Sequence, residues 1–391
     1  MRVAFFQPYL AAWRSEFLAR FDRDTVHDVI VIDGGFRSSK AKQTSDSRPQ
    51  QFRVEKLWSF SPVISYRSQT YPLYFSPFLF FSLVRNRPDC VVTEGEINFL
   101  NNISVWLYCL IFGKGYVWWS LGKVRTRRKN VFNKLFDPVV DFLLRRAGVI
   151  MARNSYAARY YAEKGCPEKR IVVAPNCMDD ERALQEVDAD SVQELLEKKG
   201  GQRIILYVGA LSPEKRPADL IELLVKAREM GVSDIAVWYV GDGSERPRLE
   251  ELARQHNLES AVVFFGRVLA GAGNYFTAAD LVVVPGLGGL VINHAMIFGK
   301  PVVSRPADGT EEDLIQNGVN GYIVDSYSTE ALLEKTLEVL NSPRIEEMGQ
   351  AASSVIQTRW NMKRMIEGAE RCVQICWEST RSYRKNASRS P

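Results

Sequence analysis

Twelve short apolar runs, each four to seven residues long, recur along this chain with helix-like segments between them. They fall at 2–7, 27–33, 89–94, 116–121, 148–153 and 171–175, then at 203–209, 235–241, 262–266, 281–285, 301–304 and 321–325. Runs such as RIILYVG and LVVVP show no alternation of apolar and polar residues, so they read as strands buried on both faces. Such strands belong to parallel sheets, whose consecutive strands are joined by crossovers that are usually helices. The pattern specifies the α/β class, doubly wound, with ligand sites expected at the carboxyl ends of the strands.

A chain of 391 residues is longer than one hydrophobic core usually serves, so two domains are expected. The polar stretch 178–201, ending in Gly200-Gly201, marks the boundary between a first domain over 1–177 and a second over 202–359. The basic, polar tail 381–391 is expected to be disordered. Charge divides at the same boundary. Residues 1–178 hold 27 lysines and arginines against 14 aspartates and glutamates, a net of +13, and the remainder carries a net of −8. A basic half implies an anionic partner. No nucleic-acid-binding motif is present, which leaves a membrane face or a lipid diphosphate.

Arg2 leads straight into the apolar run VAFF and a polar loop, which is not the layout of a signal peptide. Two longer apolar stretches, 72–84 and 98–113, are interrupted by Pro72 and Pro77 and by Asn101, Asn102 and Ser104. A span needs about 20 apolar residues, so both read as buried helices, with a membrane-surface role for one of them as the alternative. The six cysteines form no Cys-x-x-Cys pair and no zinc-site spacing, and read as reduced thiols. The expected location is the cytoplasm, with peripheral contact at the inner face of the cytoplasmic membrane left open.

Three loops carry the chemistry. In RIILYVGALSPEKRPADL a strand ends at Gly209, and Lys215 and Arg216 precede a helix start near Pro217, a natural anion site. In IAVWYVGDGSERPRLE, Gly241-Asp242-Gly243 allows a sharp turn and close approach of a ligand. In DLVVVPGLGGLVINHAMIFGKPVV a buried strand runs into Gly286-Leu287-Gly288-Gly289, and a helix begins near Leu290. Exposed N–H groups at that helix start can hold a diphosphate once glycines remove the side chains in the way. His294 lies about one turn further on. It can reach a ribose or sugar hydroxyl, and the helix N-terminus favours its neutral form. The alternatives are a solvated loop around Lys215 and Arg216, a structural Gly-Asp-Gly turn, and a half-buried helix histidine with no ligand.

Read in order, YVGALSPEKRP, VWYVGDG, VVFFGRV, NYFTAADLVVVPG, GGLVINHAMIFGKPVV and NGVNGYIV resemble the C-terminal domain of the retaining GT-B glycosyltransferases. The resemblance is to the large family that builds bacterial lipopolysaccharide, capsule and exopolysaccharide, and it spans about 171–325. It implies a GT-B architecture of two Rossmann-like domains facing a cleft, with helix 360–380 crossing back to the N-terminal domain. It implies a hexosyltransferase that uses a nucleotide-diphosphate sugar, retains configuration, and needs no metal or other cofactor. Lys215 matches the lysine that contacts the diphosphate. Gly288, Gly289, Leu290 and Val291 match the segment holding the phosphates and transferred sugar, and Arg267 and Val268 lie where the family packs the base. The leaving diphosphate would be stabilised electrostatically by cations and backbone dipoles.

Three positions depart from the family. Its two donor-site glutamates, eight residues apart, are Gly286 and His294 here. A neutral His294 can replace the second as acceptor for the ribose, whereas Gly286 has no side chain to replace the first. The arginine after the first strand of the donor domain is Ala210, and Arg216 is the candidate substitute. In the first half, Arg14 follows the first strand as an acceptor-side cation. Gly122 and Lys123 follow another at the head of the basic loop 121–130, which also carries Arg125, Arg127, Arg128 and Lys129. Glu94 and Glu96 are candidate acceptor-side bases. The expected acceptor is a saccharide, lipid-linked, in surface polysaccharide assembly. Two rivals remain, a catalytically silent relative that binds nucleotide sugar or a partner enzyme, and a sugar-nucleotide epimerase.

Overall fold

The computed structural model describes residues 1–36, 51–66, 69–72, 74–123 and 131–387, and its chain divides into two compact units. Of the described residues, the first unit comprises Met1–Gly122, 131–175 and the C-terminal helix from Lys363, and the second comprises Lys123 and Asn176–Met362. The basic cluster Arg125, Arg127, Arg128 and Lys129 lies outside the described residues.

Seven strands form the sheet of the first unit: β1 (Arg2–Gln7), β2 (Asp28–Asp33), β3 (Arg53–Lys56), β6 (Cys90–Glu94), β7 (Gly115–Ser120), β8 (Val149–Ala152) and β9 (Ile171–Val173). A separate antiparallel hairpin pairs β4 (Val63–Tyr66) with β5 (Gln69–Pro72). The sheet is parallel throughout, in the order β3-β2-β1-β6-β7-β8-β9. Its direction of growth reverses between β1 and β6, where Val3 pairs Val29 on one side and Cys90 on the other. Val3, Ala4, Phe5 and Phe6 are all fully buried, as a strand with helices on both faces requires. The three strands the apolar pattern does not reveal are β3, β4 and β5. β3 reads RVEK, a polar edge strand with one apolar residue, so its pairing leaves no hydrophobic signature.

The helices of this unit are α1 (Ala12–Asp24), α2 (Leu79–Asn86), α3 (Phe99–Phe112), α4 (Val131–Arg146) and α5 (Ser155–Glu163). α5 starts at Asn154, whose side chain accepts the Ala157 N–H at 2.7 Å. α3 stops at Gly113, which takes the left-handed conformation (φ 59°) and caps Cys109.

The second unit repeats the scheme with β10 (Arg203–Val208), β11 (Ile235–Val240), β12 (Val262–Gly266), β13 (Leu281–Val284), β14 (Val302–Ser304) and β15 (Gly321–Ile323). They form a parallel sheet ordered β12-β11-β10-β13-β14-β15, which reverses between β10 and β13. The boundary segment 178–201 carries α6 (Asp180–Gln185) and α7 (Ala189–Lys199), each capped by an aspartate and packed on this unit. The helices that follow are α8 (Ala218–Glu229), α9 (Arg246–Gln255), α10 (Ala272–Ala278), α11 (Leu290–Ile297), the single turn α12 (Glu311–Leu314), α13 (Thr329–Leu340) and α14 (Ile345–Thr358).

The last helix, α15 (Met362–Ala387), packs on the first unit. A Cβ at its Gly368 would lie 2.8 Å from the Ala174 Cα, and its Cys376 Sγ lies 2.8 and 3.0 Å from Cβ positions at Gly148 and Gly115. Cys372 and Cys376 are both buried, so the apolar face of α15 is satisfied by this sheet. The helix continues to Ala387, beyond the point at which the sequence alone suggests disorder. None of the described helices is long and apolar enough to cross a membrane.

Candidate functional site

In an open parallel sheet, ligands bind beyond the carboxyl ends of the strands where growth of the sheet reverses. In the second unit that point lies between β10 and β13, so the loops at 209–216 and 285–289 are adjacent by topology. The first loop leaves β10 through Gly209 (φ 149°), and a turn of 3-10 helix, Pro213–Lys215, brings Lys215 back over the strand end. Its Nζ would lie 3.2 Å from a Cβ at Gly209, and it donates to the Leu287 carbonyl at 3.2 Å. The Leu287 N–H in turn donates to the Glu214 carbonyl at 3.0 Å. Tyr207, Lys215, Val284, Pro285, Leu287 and Val291 line a small pocket at this junction.

The glycines of the second loop each answer to a particular neighbour. A Cβ at Gly286 would meet the backbone of Lys215 at 2.7–2.8 Å, and one at Gly288 would lie 2.6 Å from the Val284 Cγ1. Gly289 precedes the first residue of α11, and a Cβ there would lie 2.2 Å from the Asp308 Oδ2. The bare backbone and the unsatisfied N–H groups opening α11 are what an anion needs, with Lys215 supplying a positive charge beside them.

The other two loops divide. Gly241 (φ 142°) is required by packing, since a Cβ there would lie 1.9 Å from the Gly209 carbonyl oxygen. A Cβ at Gly243 would lie 2.3 Å from the Leu211 carbonyl oxygen. The Gly-Asp-Gly turn thus shapes the Lys215 loop from behind. Arg267 is exposed and Val268 half-buried in the loop after β12.

Arg216 does not join Lys215. It adopts a left-handed conformation (φ 51°), donates to the Asp219 Oδ2 at 2.8 Å, and stacks its guanidinium 5.0 Å from the Tyr327 ring centroid. His294 is half-buried against aromatic rings, 4.5 Å from Phe276 and 5.6 Å from Phe298. Burial pushes its pKa down to about 4, so the ring is neutral at physiological pH. The cause is desolvation by burial, which disfavours the charged ring.

Two residues of the site escape sequence reasoning. Arg305, fully buried at the end of β14, ion-pairs with Asp219 and donates to the carbonyls of Pro285, Tyr327 and Ser328 at 3.0–3.2 Å. It therefore anchors the entry to the glycine loop. Asp308 stands against Gly289, with the buried Glu311 close behind. Burial, aided by Asp308, pushes the Glu311 carboxyl above its usual range. The one available signal was position: RPADGTEED follows a strand, at its carboxyl end.

In the first unit the structure corrects the placement of Arg14. It is 4% exposed, its guanidinium lies 3.8 Å from the Trp119 ring centroid, and it pairs with Glu94 at 3.1 Å. Arg153 pairs with the same carboxylate at 2.7 Å. Burial, with repulsion from Arg153, lowers the Arg14 pKa to about 9. Burial pushes Glu94 up, but the guanidiniums of Arg153 and Arg14 outweigh it and hold it below its usual value. Arg14 follows the strand end as expected, but it is an interior residue committed to an Arg–Glu–Arg cluster. Glu96 is engaged as well, accepting from the Ser120 hydroxyl at 2.5 Å and from the Tyr161 hydroxyl. Gly122 (φ 68°) turns the chain beside Tyr160, and Lys123 is exposed. Among the described residues, no three His, Cys, Asp or Glu side chains gather as a metal site.

Comparison with known proteins agrees with this fold. Residues 188–355 match the family model described as glycosyl transferases group 1. The N-acetyl-alpha-D-glucosaminyl L-malate synthase of Bacillus anthracis is 22% identical over 242 residues, which is 60% of this chain. The match spans 62% of that relative, so it is a likeness over part of its length. Among solved structures, HepE of Anabaena in complex with UDP superposes with a TM-score of 0.73 at 17% identity, covering 96% of this chain and 100% of that one. WaaG, a glycosyltransferase involved in lipopolysaccharide biosynthesis, gives 0.64 at 17% identity, covering 94% and 98%. Over residues 188–355 this chain is similar to the glycosyl transferases group 1 family, and the chain has the GT-B fold.

Proposed function

We propose that this protein is a glycosyltransferase that moves a sugar from a nucleotide-diphosphate donor to a saccharide acceptor carried on a lipid, with retention of configuration, in bacterial surface polysaccharide assembly. One observation carries the reading: the Lys215 ammonium is held 3.2 Å from the Leu287 carbonyl, beside the bare glycine backbone that opens α11. In the transfer, the bond from the anomeric carbon to the diphosphate oxygen breaks and an acceptor oxygen takes its place. Negative charge grows on the departing diphosphate, where Lys215 and the N–H groups at the start of α11 offset it. The neutral His294 presents a ring nitrogen to a ribose or sugar hydroxyl. Gly209, Gly288, Gly289, Leu290 and Val291 contribute backbone and shape. HepE, which shares the fold, has been solved with UDP and with UDP-glucose, and WaaG acts in lipopolysaccharide biosynthesis, which supports both the donor class and the setting.

The test is thermal stability of the wild type and of Lys215→Ala with UDP, GDP, ADP, dTDP and CMP. A nucleotide bound only by the native state at a hundredfold excess over its Kd stabilises it by about 2.7 kcal/mol. Stabilisation by one nucleotide, lost in Lys215→Ala, supports the reading and names the donor; no shift with any of them counts against it. A second reading, a silent relative that binds nucleotide sugar without turnover, is favoured by the crowding at Gly286, where no carboxylate fits. Formation of a glycosylated product from the matching nucleotide sugar excludes it.

A further inference from the structure

A helix start that receives a phosphate is best kept clear of carboxylates, since a like charge close by opposes the anion. The start of α11 is not clear of them. A Cβ on Gly289, the residue before the helix, would lie 2.2 Å from the Asp308 Oδ2 and 3.0 Å from its Oδ1. The Asp308 carboxylate therefore takes the space that a side chain at 289 would fill, directly against the backbone that opens α11. Lys215 meets the same loop at the Leu287 carbonyl, and Asp308 meets it at Gly289. A cation and an acid stand along one short stretch of bare backbone.

The acid is held in place by its own loop. The chain leaves β14 through the fully buried Arg305, which is bound to the carbonyls of Pro285, Tyr327 and Ser328. Further on, the Asp308 Oδ1 accepts the Thr310 N–H at 3.1 Å, and the Glu311 Oε2 accepts the Gly309 N–H at 2.9 Å. Glu311 is fully buried, and its Oε1 has no hydrogen-bond partner among the described residues. Asp308 itself is only half-buried, so a molecule entering from solvent can reach it.

A nucleoside diphosphate gains Lys215 and the N–H groups of α11 but brings its charge against Asp308. A sugar joined to the terminal phosphate brings hydroxyls to the same place. A hydroxyl donating to a carboxylate makes a charge-assisted bond, roughly twice as strong as a neutral one. We propose that Asp308 is the residue by which this site distinguishes a sugar-bearing nucleotide from the bare nucleoside diphosphate. Its carboxylate accepts hydroxyls of the donor sugar, and after transfer it repels the diphosphate left behind. One residue thus favours the substrate and hastens exit of the product. The proposal rests on the donor-site reading above and assigns the sugar-selecting group within it. A carboxylate that only steadied the helix start would instead act on both ligands alike.

The experiment is isothermal titration of the full chain, as wild type and as Asp308→Asn, with paired probes. These are UDP with UDP-glucose and UDP-N-acetylglucosamine, GDP with GDP-mannose, ADP with ADP-glucose, and dTDP with dTDP-glucose. For the base that binds, the wild type is expected to hold a sugar nucleotide more tightly than the nucleoside diphosphate. In Asp308→Asn the nucleoside diphosphate should bind about fivefold more tightly, because the like charge is gone. The ratio of its Kd to that of the sugar nucleotide should fall at least about tenfold. Asp308→Ser, a second small replacement at this half-buried position, should move the ratio the same way, and melting temperatures without ligand show that each variant is folded. An unchanged ratio in both variants overturns the proposal, and so does equal weakening of both ligands. If the wild type binds no probe, the donor-site reading fails and the proposal with it. Nucleoside diphosphate binding that depends on Lys215, with a ratio indifferent to Asp308, overturns the proposal alone.

Discussion

A Cβ placed on Gly286 would lie 2.7 Å from the carbonyl carbon of Lys215 and 2.8 Å from its oxygen. The space in which the resemblance to the GT-B transferases implies a glutamate side chain is therefore filled here by backbone. The loop bearing Lys215 and the loop opening α11 are packed together, with the Glu214 carbonyl accepting the Leu287 N–H at 3.0 Å. Gly286 and Lys215 form one unit, and the glycine is a condition for the lysine's place.

Gly286→Ala should accordingly move the Lys215 loop. Overpacking against backbone that cannot yield costs about 1–3 kcal/mol. Urea denaturation should show that loss, and the melting-temperature gain with the cognate nucleotide should shrink with it. Wild-type stability together with wild-type nucleotide response would show that the two loops are not rigidly coupled.

Arg305 is fully buried and ties Asp219 to the carbonyl of Pro285, the residue just before Gly286. Removing one partner of a buried ion pair leaves the other uncompensated, which costs about 3–5 kcal/mol. Arg305→Ala should lower stability by that order in urea. Asp219→Asn, which keeps a hydrogen-bonding oxygen for Arg305 and Arg216, should lose less. Equal losses in the two variants would argue against the charge as the cause.

Glu94 holds two guanidiniums in the first unit, at 3.1 Å and 2.7 Å. Glu94→Ala strands both, and a loss of about 3 kcal/mol is expected. Because the folded-state pKa of Glu94 is lowered, its contribution is fully present above the usual carboxylate value of 4.5 and disappears as pH falls through the lowered one. Acid titration of the melting temperature should be shallower in the variant. Arg14→Ala belongs to the same test, and its effect should fall on stability rather than on acceptor affinity.

His294 adds a pH dependence of the same sign at higher pH. Its folded-state pKa of about 4 is below the usual 6.5, so the unfolded chain binds the additional proton between these values. Stability should fall as the solution is acidified from pH 6.5 towards 4, by up to about 3 kcal/mol from this residue. His294→Phe should remove that component of the slope. An unchanged slope would place the imidazole in water rather than against Phe276 and Phe298.

What the sequence determined by itself is the local grammar. All twelve apolar runs are strands, because burial on both faces of a sheet leaves an unbroken apolar run that no distant residue can disguise. The loop positions of Gly209, Lys215 and the glycines at 286–289 followed, since strand ends and helix starts are read from neighbours in the chain. β3 was invisible because an edge strand with one apolar residue is held by main-chain bonds, which carry no side-chain signature.

The tertiary structure alone decided which charges are spent. Arg14 and Arg216 read as cations for a ligand, but Glu94 lies 80 residues from the first, and only folding brings it within hydrogen-bonding distance. Asp219, three residues from Arg216, also serves the buried Arg305, and that pairing crosses 86 positions. That α3 leaves Leu110 and Ile111 exposed, where the sequence reads as a buried helix, was equally beyond it, because a helix apolar on every side has no preferred face until its neighbours are in place. Periodicity is a local property and survives in one dimension, whereas pairing, packing and exposure depend on which distant segment arrives alongside.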